Sequence, residues 1–325
     1  MPENGYEVSR FLAADVLENA RVRASVHFAC KLCRSPRLKG LYKSKKYAFD
    51  VGRCADCGFV FVLEKFSESH LRRMYSDDHD FREFAEGMAS EKVCARHHRV
   101  LEEIQKILKA HPGKRGAPAR PTLLDVGAGA GSFLQAAREA GFEVHGNEFS
   151  SAAIRMAREK YGFELSSRSI DEDPRSDFFD AVTLWGVIEH VLDPSALLHH
   201  AFRLMKPGGV LYLYTPVWCL YDDLALFLTR ASGGGTTRLL DRRITPAHLQ
   251  LFSARILEAA VVRVGFELIS LGRVCEYNLP VTAYLESLGV PAGMRGPMAR
   301  MLDQLIDARF FFRNNMRAFC RKKEA

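Results

Sequence analysis

No stretch of the chain offers the roughly 18–20 consecutive uncharged apolar residues that a membrane-spanning helix needs. The opening residues, MPENGYEVSR, lack the basic start and apolar stretch of a secretory signal and carry acids instead. These two lacks predict a cytoplasmic protein. Internal repeats and low-complexity tracts are missing as well. Apolar residues make up 47% of the chain and charged residues 26%, a balance that excludes a disordered chain, a collagen-like fibre and a disulfide-knotted miniprotein. A length of 325 residues suits two domains of roughly 100–200 residues each.

Acid is missing from one place in particular. Residues 31–49 hold seven Lys and Arg and no Asp or Glu. The chain's 46 basic and 39 acidic side chains leave a net charge of +7. Residues 1–120 hold 23 basic and 16 acidic groups, and residues 121–325 hold 23 of each. The whole surplus therefore sits in the first third. Such a patch attracts nucleic acid or the phosphates of a small substrate, unless it is only a solvated basic loop.

Around that basic stretch lie Cys30, Cys33, Cys54 and Cys57, two Cys-x2-Cys turns twenty residues apart. Thiolates are soft ligands, and four of them suit a tetrahedral Zn2+ with no open position, so the metal would be structural. The spacing is that of a zinc ribbon. The alternatives are a pair of redox dithiols or coincidence, but a redox dithiol sits more often on a thioredoxin-like βαβ unit, which this region lacks. The remaining cysteines, Cys94, Cys219, Cys275 and Cys320, are dispersed and read as small apolar residues.

After the ribbon, residues 91–110 place Val93, Val100, Leu101, Ile104, Ile107 and Leu108 at helical spacing. The segment HPGKRGAPARP at 111–121 reads as a linker. Strand-like runs then follow at 122–128, 142–148, 180–186 and 210–216, with helical patterns at 132–140, 151–161 and 194–204 between them. Alternation of this kind predicts a parallel α/β sheet with helices on both faces. Residues 266–274 and 315–322 read as two further strands.

The first of these strands runs into LLDVGAGAGSF and then a helix. Gly127, Gly129 and Gly131 permit positive φ and close approach of a ligand, and the helix start offers free N–H groups. Glu148 closes the next strand, where a carboxylate can accept ribose hydroxyls. The dinucleotide fingerprint needs a third glycine that Ser132 denies. Asp125, two residues before the first glycine, would repel a pyrophosphate but suits a cofactor with a cationic amine. The motif thus favours S-adenosylmethionine (SAM) over NAD.

These residues resemble the class I SAM-dependent methyltransferases, with their Rossmann-like sheet. The likeness lies in Asp125-Val-Gly-Ala-Gly-Ala-Gly131, in Glu148, in the run DFFDAVTLWGVIEHVLDP and in the Lys206-Pro-Gly-Gly209 turn. By resemblance the 127–131 turn runs along the methionine part of SAM, and Glu148 binds its ribose. Phe149 packs on the adenine, and Ile170 and Asp171, after a third strand, line the adenine pocket. Trp185 and Gly186 lie near the methyl group, with core packing as the alternative for the Trp185 ring. His190 either lines the pocket or caps local backbone.

The combination with a four-cysteine ribbon and a helical connector looks like the zinc-ribbon methyltransferases of sugar and polysaccharide biosynthesis, deoxysugar C-methyltransferases among them. Residues TPAHLQLFS resemble their acceptor-closing segment. That makes His248 the candidate general base, against the plainer role of a helix-start histidine bonded to backbone. Tyr75, near His79, is either an acceptor-lining tyrosine, as in some ribbon relatives, or a packing aromatic. Ala247 stands where the C-methyltransferases carry glutamate, so O- and C-methylation are both open.

The expected organisation is a lead segment at 1–29, a ribbon at 30–62, a helical connector and linker at 63–120, and a methyltransferase domain at 121–325. Cap insertions are expected at about 217–247 and 279–309, the second also suiting a homodimer contact. The resulting function is methyl transfer from SAM to a small acceptor, a saccharide or nucleotide-linked sugar whose phosphates the basic ribbon would attract. Two alternatives stand beside it: an RNA methyltransferase using the basic ribbon, and a non-catalytic SAM-binding module. Motifs for amine or base C5 methylation of nucleic acid are absent.

Overall fold

The computed structural model describes residues 29–64, 66–67, 91–111, 120–235, 237–274, 281–287, 289–307 and 313–323. Tyr75, His79, Cys275, most of the lead segment and most of the 111–121 linker lie outside these residues. In chain order the strands are β1 (Leu38–Lys43), β2 (Asp50–Cys54), β3 (Val60–Val62), β4 (Thr122–Val126), β5 (Glu143–Asn147), β6 (Phe179–Trp185), β7 (Met205–Pro216), β8 (Gln250–Leu251), β9 (Phe266–Val274) and β10 (Asn315–Lys322). The helices are α1 (Glu91–Ala110), α2 (Ser132–Glu139), α3 (Ser151–Tyr161), α4 (Pro194–Leu204), α5 (Leu220–Ala231), α6 (Ala254–Val264), α7 (Val281–Ser287) and α8 (Ala292–Asp307). No described helix is long and apolar enough to cross a membrane.

The chain divides into two compact units. The first comprises Met1–Ser67, Val217–Ile256 and Cys275–Asn314, and the second Glu68–Pro216, Leu257–Val274 and Asn315–Ala325. The second unit is built on a six-stranded sheet of order β5-β4-β6-β7-β10-β9. Strands β5, β4, β6 and β7 are parallel, whereas β10 runs antiparallel to both β7 and β9. The four parallel strands are those the alternation predicts, the α/β Rossmann-like sheet is the one the resemblance implies, and antiparallel β10 makes the sheet mixed rather than wholly parallel. The central strands are apolar on both faces, so β6 is buried along nearly its whole length.

Two details of this sheet differ from the expectation. The strand expected before Ile170 is reduced to a single parallel bridge between Asn147 and Ser166. Strand β7 begins at Met205, five residues earlier than the apolar pattern implies, because the Lys-Pro-Gly-Gly segment pairs as part of it, with a break in register. Lys206 is anchored there by a 2.8 Å ion pair to the buried Asp180. Gly209 has no alternative, since a Cβ would lie 2.8 Å from the Lys206 carbonyl oxygen.

The first unit carries a four-stranded antiparallel sheet of order β1-β2-β3-β8. Its last strand comes from far along the chain, with Val60 opposite Leu251 and Phe61 opposite Gln250. Phe49, Val51 and Val62 share one hydrophobic cluster with Trp218, Leu226, Leu240 and Ile244. The ribbon strands therefore do not close a core alone, which agrees with how little apolar surface so short a segment can bury.

Candidate cofactor and metal sites

In the second unit, β4 delivers the chain into a turn where Gly127, Gly129 and Gly131 have φ of 68°, 55° and 82°. That left-handed region is open to glycine at no steric cost. Room is short as well: a Cβ at Gly127 would lie 3.0 Å from Val187 Cγ2, and one at Gly131 3.0 Å from Phe163 Cδ2. Gly131 is the N-cap of α2 and gives its first N–H groups no side-chain acceptor. Such a helix start suits an anionic or polar ligand group.

Glu148 closes the other side of the turn. Its Oε2 accepts from the Gly129 N–H at 2.9 Å, and its Oε1 accepts from Phe149 and Ser150 N–H at 2.7 and 2.9 Å. Three of the roughly four acceptor positions of a carboxylate are thus used by backbone. Ser150 caps α3 by accepting from Ala153 N–H, which fixes the chain just after Glu148. Phe149 is 39% exposed. Ile170 is buried and Asp171 exposed.

Asp125 lies beneath the turn, 2% exposed, and accepts from Thr183 Oγ1 at 2.6 Å. Burial pushes its pKa up to about 7, with the Glu148 charge adding to the rise and the Thr183 bond opposing it. A second raised acid lies at the end of β6. Glu189 is buried and accepts from Thr215 Oγ1 at 2.9 Å, and burial lifts it to about 7 too. His190 Nε2 is 3.7 Å from Glu189 Oε1. Gly186, at φ 63°, leaves the space beside Glu189 Oε1 that a Cβ would approach to 3.3 Å. Raised carboxyls gathered at strand ends mark a candidate site.

The Trp185 ring turns inward. It packs against Tyr212 at 4.6 Å, and against Phe133 and His97 at 5.2 Å each. Only its backbone and the following Gly186 lie at the strand end. Neither ring nitrogen of His97 nor Trp185 Nε1 has a hydrogen-bond partner among the described residues. Burial, then the Arg96 charge, holds His97 down to about 3, so it is neutral. The Arg96 guanidinium lies over the Trp185 and Tyr214 rings at 5.6 and 5.4 Å.

In the first unit, the two Cys-x2-Cys turns bring four sulfurs within 4.8 Å of one another. Cys30 and Cys57 sulfurs are 3.5 Å apart, as are those of Cys33 and Cys54. A tetrahedral Zn2+ with bonds of about 2.3 Å requires sulfur separations of about 3.8 Å, so the donor set fits. Disulfides at about 2.0 Å are excluded by the same distances. Each turn ends on a left-handed residue, Arg34 at φ 62° and Gly58 at φ 80°, and the Ala55 N–H bonds the Arg37 carbonyl to tie the turns together. Burial pushes the Cys30 thiol up to about 11 and Cys57 further still. A divalent cation reverses that preference by binding the thiolate.

His248 also belongs to this unit and is half-buried. Its N–H donates to Thr245 Oγ1 at 3.0 Å, and its ring bonds the Arg243 backbone carbonyl. Burial, then the Arg243 charge, lowers its pKa to about 4. One ring nitrogen is therefore fixed as a donor, and the other carries a lone pair at neutral pH. Arg243 is itself held by Asp222 at 2.9 Å, which is fully buried, and by the Val217 carbonyl at 2.6 Å.

A family model described as a methyltransferase domain matches residues 93–271, more than half of the chain. The chain belongs to this methyltransferase-domain family. Among curated relatives it is 38% identical to a ubiquinone biosynthesis O-methyltransferase of Alkalilimnicola ehrlichii, over 27% of this chain and 38% of that one. It is 28% identical to the enzyme of the same name from Bordetella avium, over 56% of this chain and 73% of that one. The chain spans less than half the length of the first relatives it matches. Two solved structures share the fold. One is the cyclase SpnF, with a TM-score of 0.52 and 17% identity over 80% of this chain and 98% of that one. The other is magnesium protoporphyrin IX methyltransferase from Synechocystis with bound SAH, with a TM-score of 0.50 and 14% identity over 79% and 100%. A cyclase beside a methyltransferase shows that the fold alone does not choose the reaction.

Sequence reasoning about this methyltransferase domain overlooked Glu189, Thr183, Arg96 and His97. The last two had a visible signal. They fall three and four residues after Val93 and before Val100 and Leu101, on the inward stripe of α1. Glu189 had none beyond its place beside His190.

Proposed function

We propose that the protein is a SAM-dependent methyltransferase that methylates a hydroxyl group of a small molecule, with zinc as a structural ion in the four-cysteine cluster. One observation carries the reading: the left-handed 127–131 turn, locked to Glu148 through the Gly129 N–H, inside a chain matched by a methyltransferase domain. SAM, when bound, supplies a methyl group activated by its sulfonium.

The chain's own residues bind and position. Glu148 keeps an acceptor position for the ribose, and Phe149 presents an exposed ring for the adenine. Ile170 and Asp171 complete the adenine side by resemblance. Asp125, poised near neutrality, is the counter-charge for a cationic amine. In-line transfer then needs orientation and exclusion of water more than covalent help. His248 accepts the hydroxyl proton at the ring nitrogen not bonded to the Arg243 carbonyl. The relatives' names, ubiquinone biosynthesis O-methyltransferase, support O-methylation. A saccharide or nucleotide-linked acceptor, lined by Tyr75, is the finer part of the reading and rests on the ribbon resemblance.

Calorimetry with SAM and S-adenosylhomocysteine (SAH) tests the cofactor, and SAH release over a panel of phenols, catechols and nucleotide sugars tests the acceptor. The His248→Asn variant should lose about 100-fold in kcat, the low end of general-base effects, with SAH affinity kept. A protein that binds neither SAM nor SAH overturns the proposal.

A further inference from the structure

The first unit contains a cavity of about 620 Å³ that the methyl-transfer reading does not use. One wall is the β1 strand end and its hairpin, with Tyr42, Lys43 and Lys45. The other is the end of α5 and its glycine turn, with Arg230, Gly233 and Gly234. The lining holds three cations and no carboxylate. Neither Lys43, Lys45 nor Arg230 forms an ion pair among the described residues. The nearby acid Asp241 is buried, bonded to Thr237 Oγ1 at 2.5 Å, and is not part of the lining.

The walls are built rather than incidental. Lys45 joins them, its N–H donating to Thr237 Oγ1 and its Nζ to the Gly235 carbonyl, both at 3.1 Å. Gly233 and Gly234, at φ 60° and 78°, turn the chain back from α5. Ala48, at φ 60°, holds the opposing hairpin, whose Ser44 is fully buried and accepts from the Tyr47 N–H. The hairpin belongs to the acid-free basic stretch of the sequence, so the local field around the opening is positive.

We propose that this cavity is a binding site for a phosphate-bearing small molecule, a phosphate ester or diphosphate held by Lys43, Lys45 and Arg230. A volume of about 620 Å³ accommodates a ligand of nucleotide size. Paired guanidinium and ammonium donors on a pre-formed rim are the chemistry that recognises phosphate oxygens. The site stands independently of methyl transfer.

The experiment is calorimetry of the zinc-loaded full chain with inorganic pyrophosphate and with uridine diphosphate, at low and at raised salt. Zinc content is measured after each titration. The Lys43 and Arg230 side chains make no hydrogen bond among the described residues, so Lys43→Glu and Arg230→Glu leave the fold intact. Both probes should bind the wild type, more weakly at raised salt, and each variant should weaken binding at least tenfold. SAH affinity should stay within twofold in both variants, which separates failure of this site from failure of the methyltransferase reading. Absence of binding by both probes overturns the proposal, as does undiminished binding in the double variant. Binding of a long RNA that pyrophosphate does not displace, lost in the same variants, also overturns it in favour of a nucleic-acid surface.

Discussion

Replacing Asp125 with asparagine should make stability less dependent on pH. The carboxyl is 2% exposed, and burial raises its pKa from 3.8 to about 7 despite the bond from Thr183. A folded value above the unfolded one means that the native state holds the proton more tightly. The stability this contributes is complete below the unfolded value and is lost as pH rises through about 7. One pH unit inside that window is worth about 1.4 kcal/mol, so moving from about pH 5 to about pH 8 costs the wild type about 3 kcal/mol through this group. The Asp125→Asn variant is spared that loss, because an amide does not ionise. Urea titrations of both proteins at the two pH values measure the difference, and contributions from other groups, Glu189 included, cancel. The variant should gain about 3 kcal/mol relative to the wild type on going to the higher pH. A difference that stays constant refutes the argument that Asp125 is a buried acid held neutral by its surroundings. SAH binding supplies a second readout. If a cationic amine draws Asp125 into its ionised form, wild-type affinity rises about tenfold between about pH 6 and about pH 8, following the ionised fraction, while the variant's stays flat.

Glu148→Gln turns one acceptor into a donor facing backbone N–H groups; with charged hydrogen bonds worth about 1.5–3 kcal/mol, SAH affinity should fall about 10–100-fold, and unchanged affinity removes the ribose role. Metal analysis should find one zinc per chain. In a Trp185→Phe background, chelation should shift the emission of Trp218, which is buried in the core shared with the ribbon strands; metal-free protein with unaltered emission and melting ends the structural-zinc reading. Asp222→Ala leaves Arg243 buried without its carboxylate and should cost about 3–5 kcal/mol in urea denaturation, and a loss below about 1 kcal/mol would show the pair to be better hydrated than its burial implies.

Much of this was readable without coordinates. The glycine turn, the four cysteines and the strand–helix alternation are written in spacings of a few residues, and local geometry answers to local spacing. Helices α1, α3 and α4 fall where the apolar period puts them. The departures have non-local causes. The Lys-Pro-Gly-Gly segment looks like a turn, but the Lys206–Asp180 pair draws it into β7. The strand that the resemblance implies before Ile170 is not formed, and only Ser166 bridges to Asn147. The role of Trp185 stood open between pocket and core, and its ring packs inward on Phe133, His97 and Tyr212.

The sequence by itself therefore determined the α/β class, the sharp turn that only glycines can make, and a donor set whose chemistry selects a thiophilic ion. Tertiary structure alone decided the protonation of Asp125, Glu189 and His248, because a pKa follows from how much water and charge the fold leaves around a group. It also decided that the ribbon sheet is completed by β8, nearly two hundred residues away, and that Lys43 and Arg230 share one cavity. Pairing and enclosure join residues that no periodicity in the chain connects.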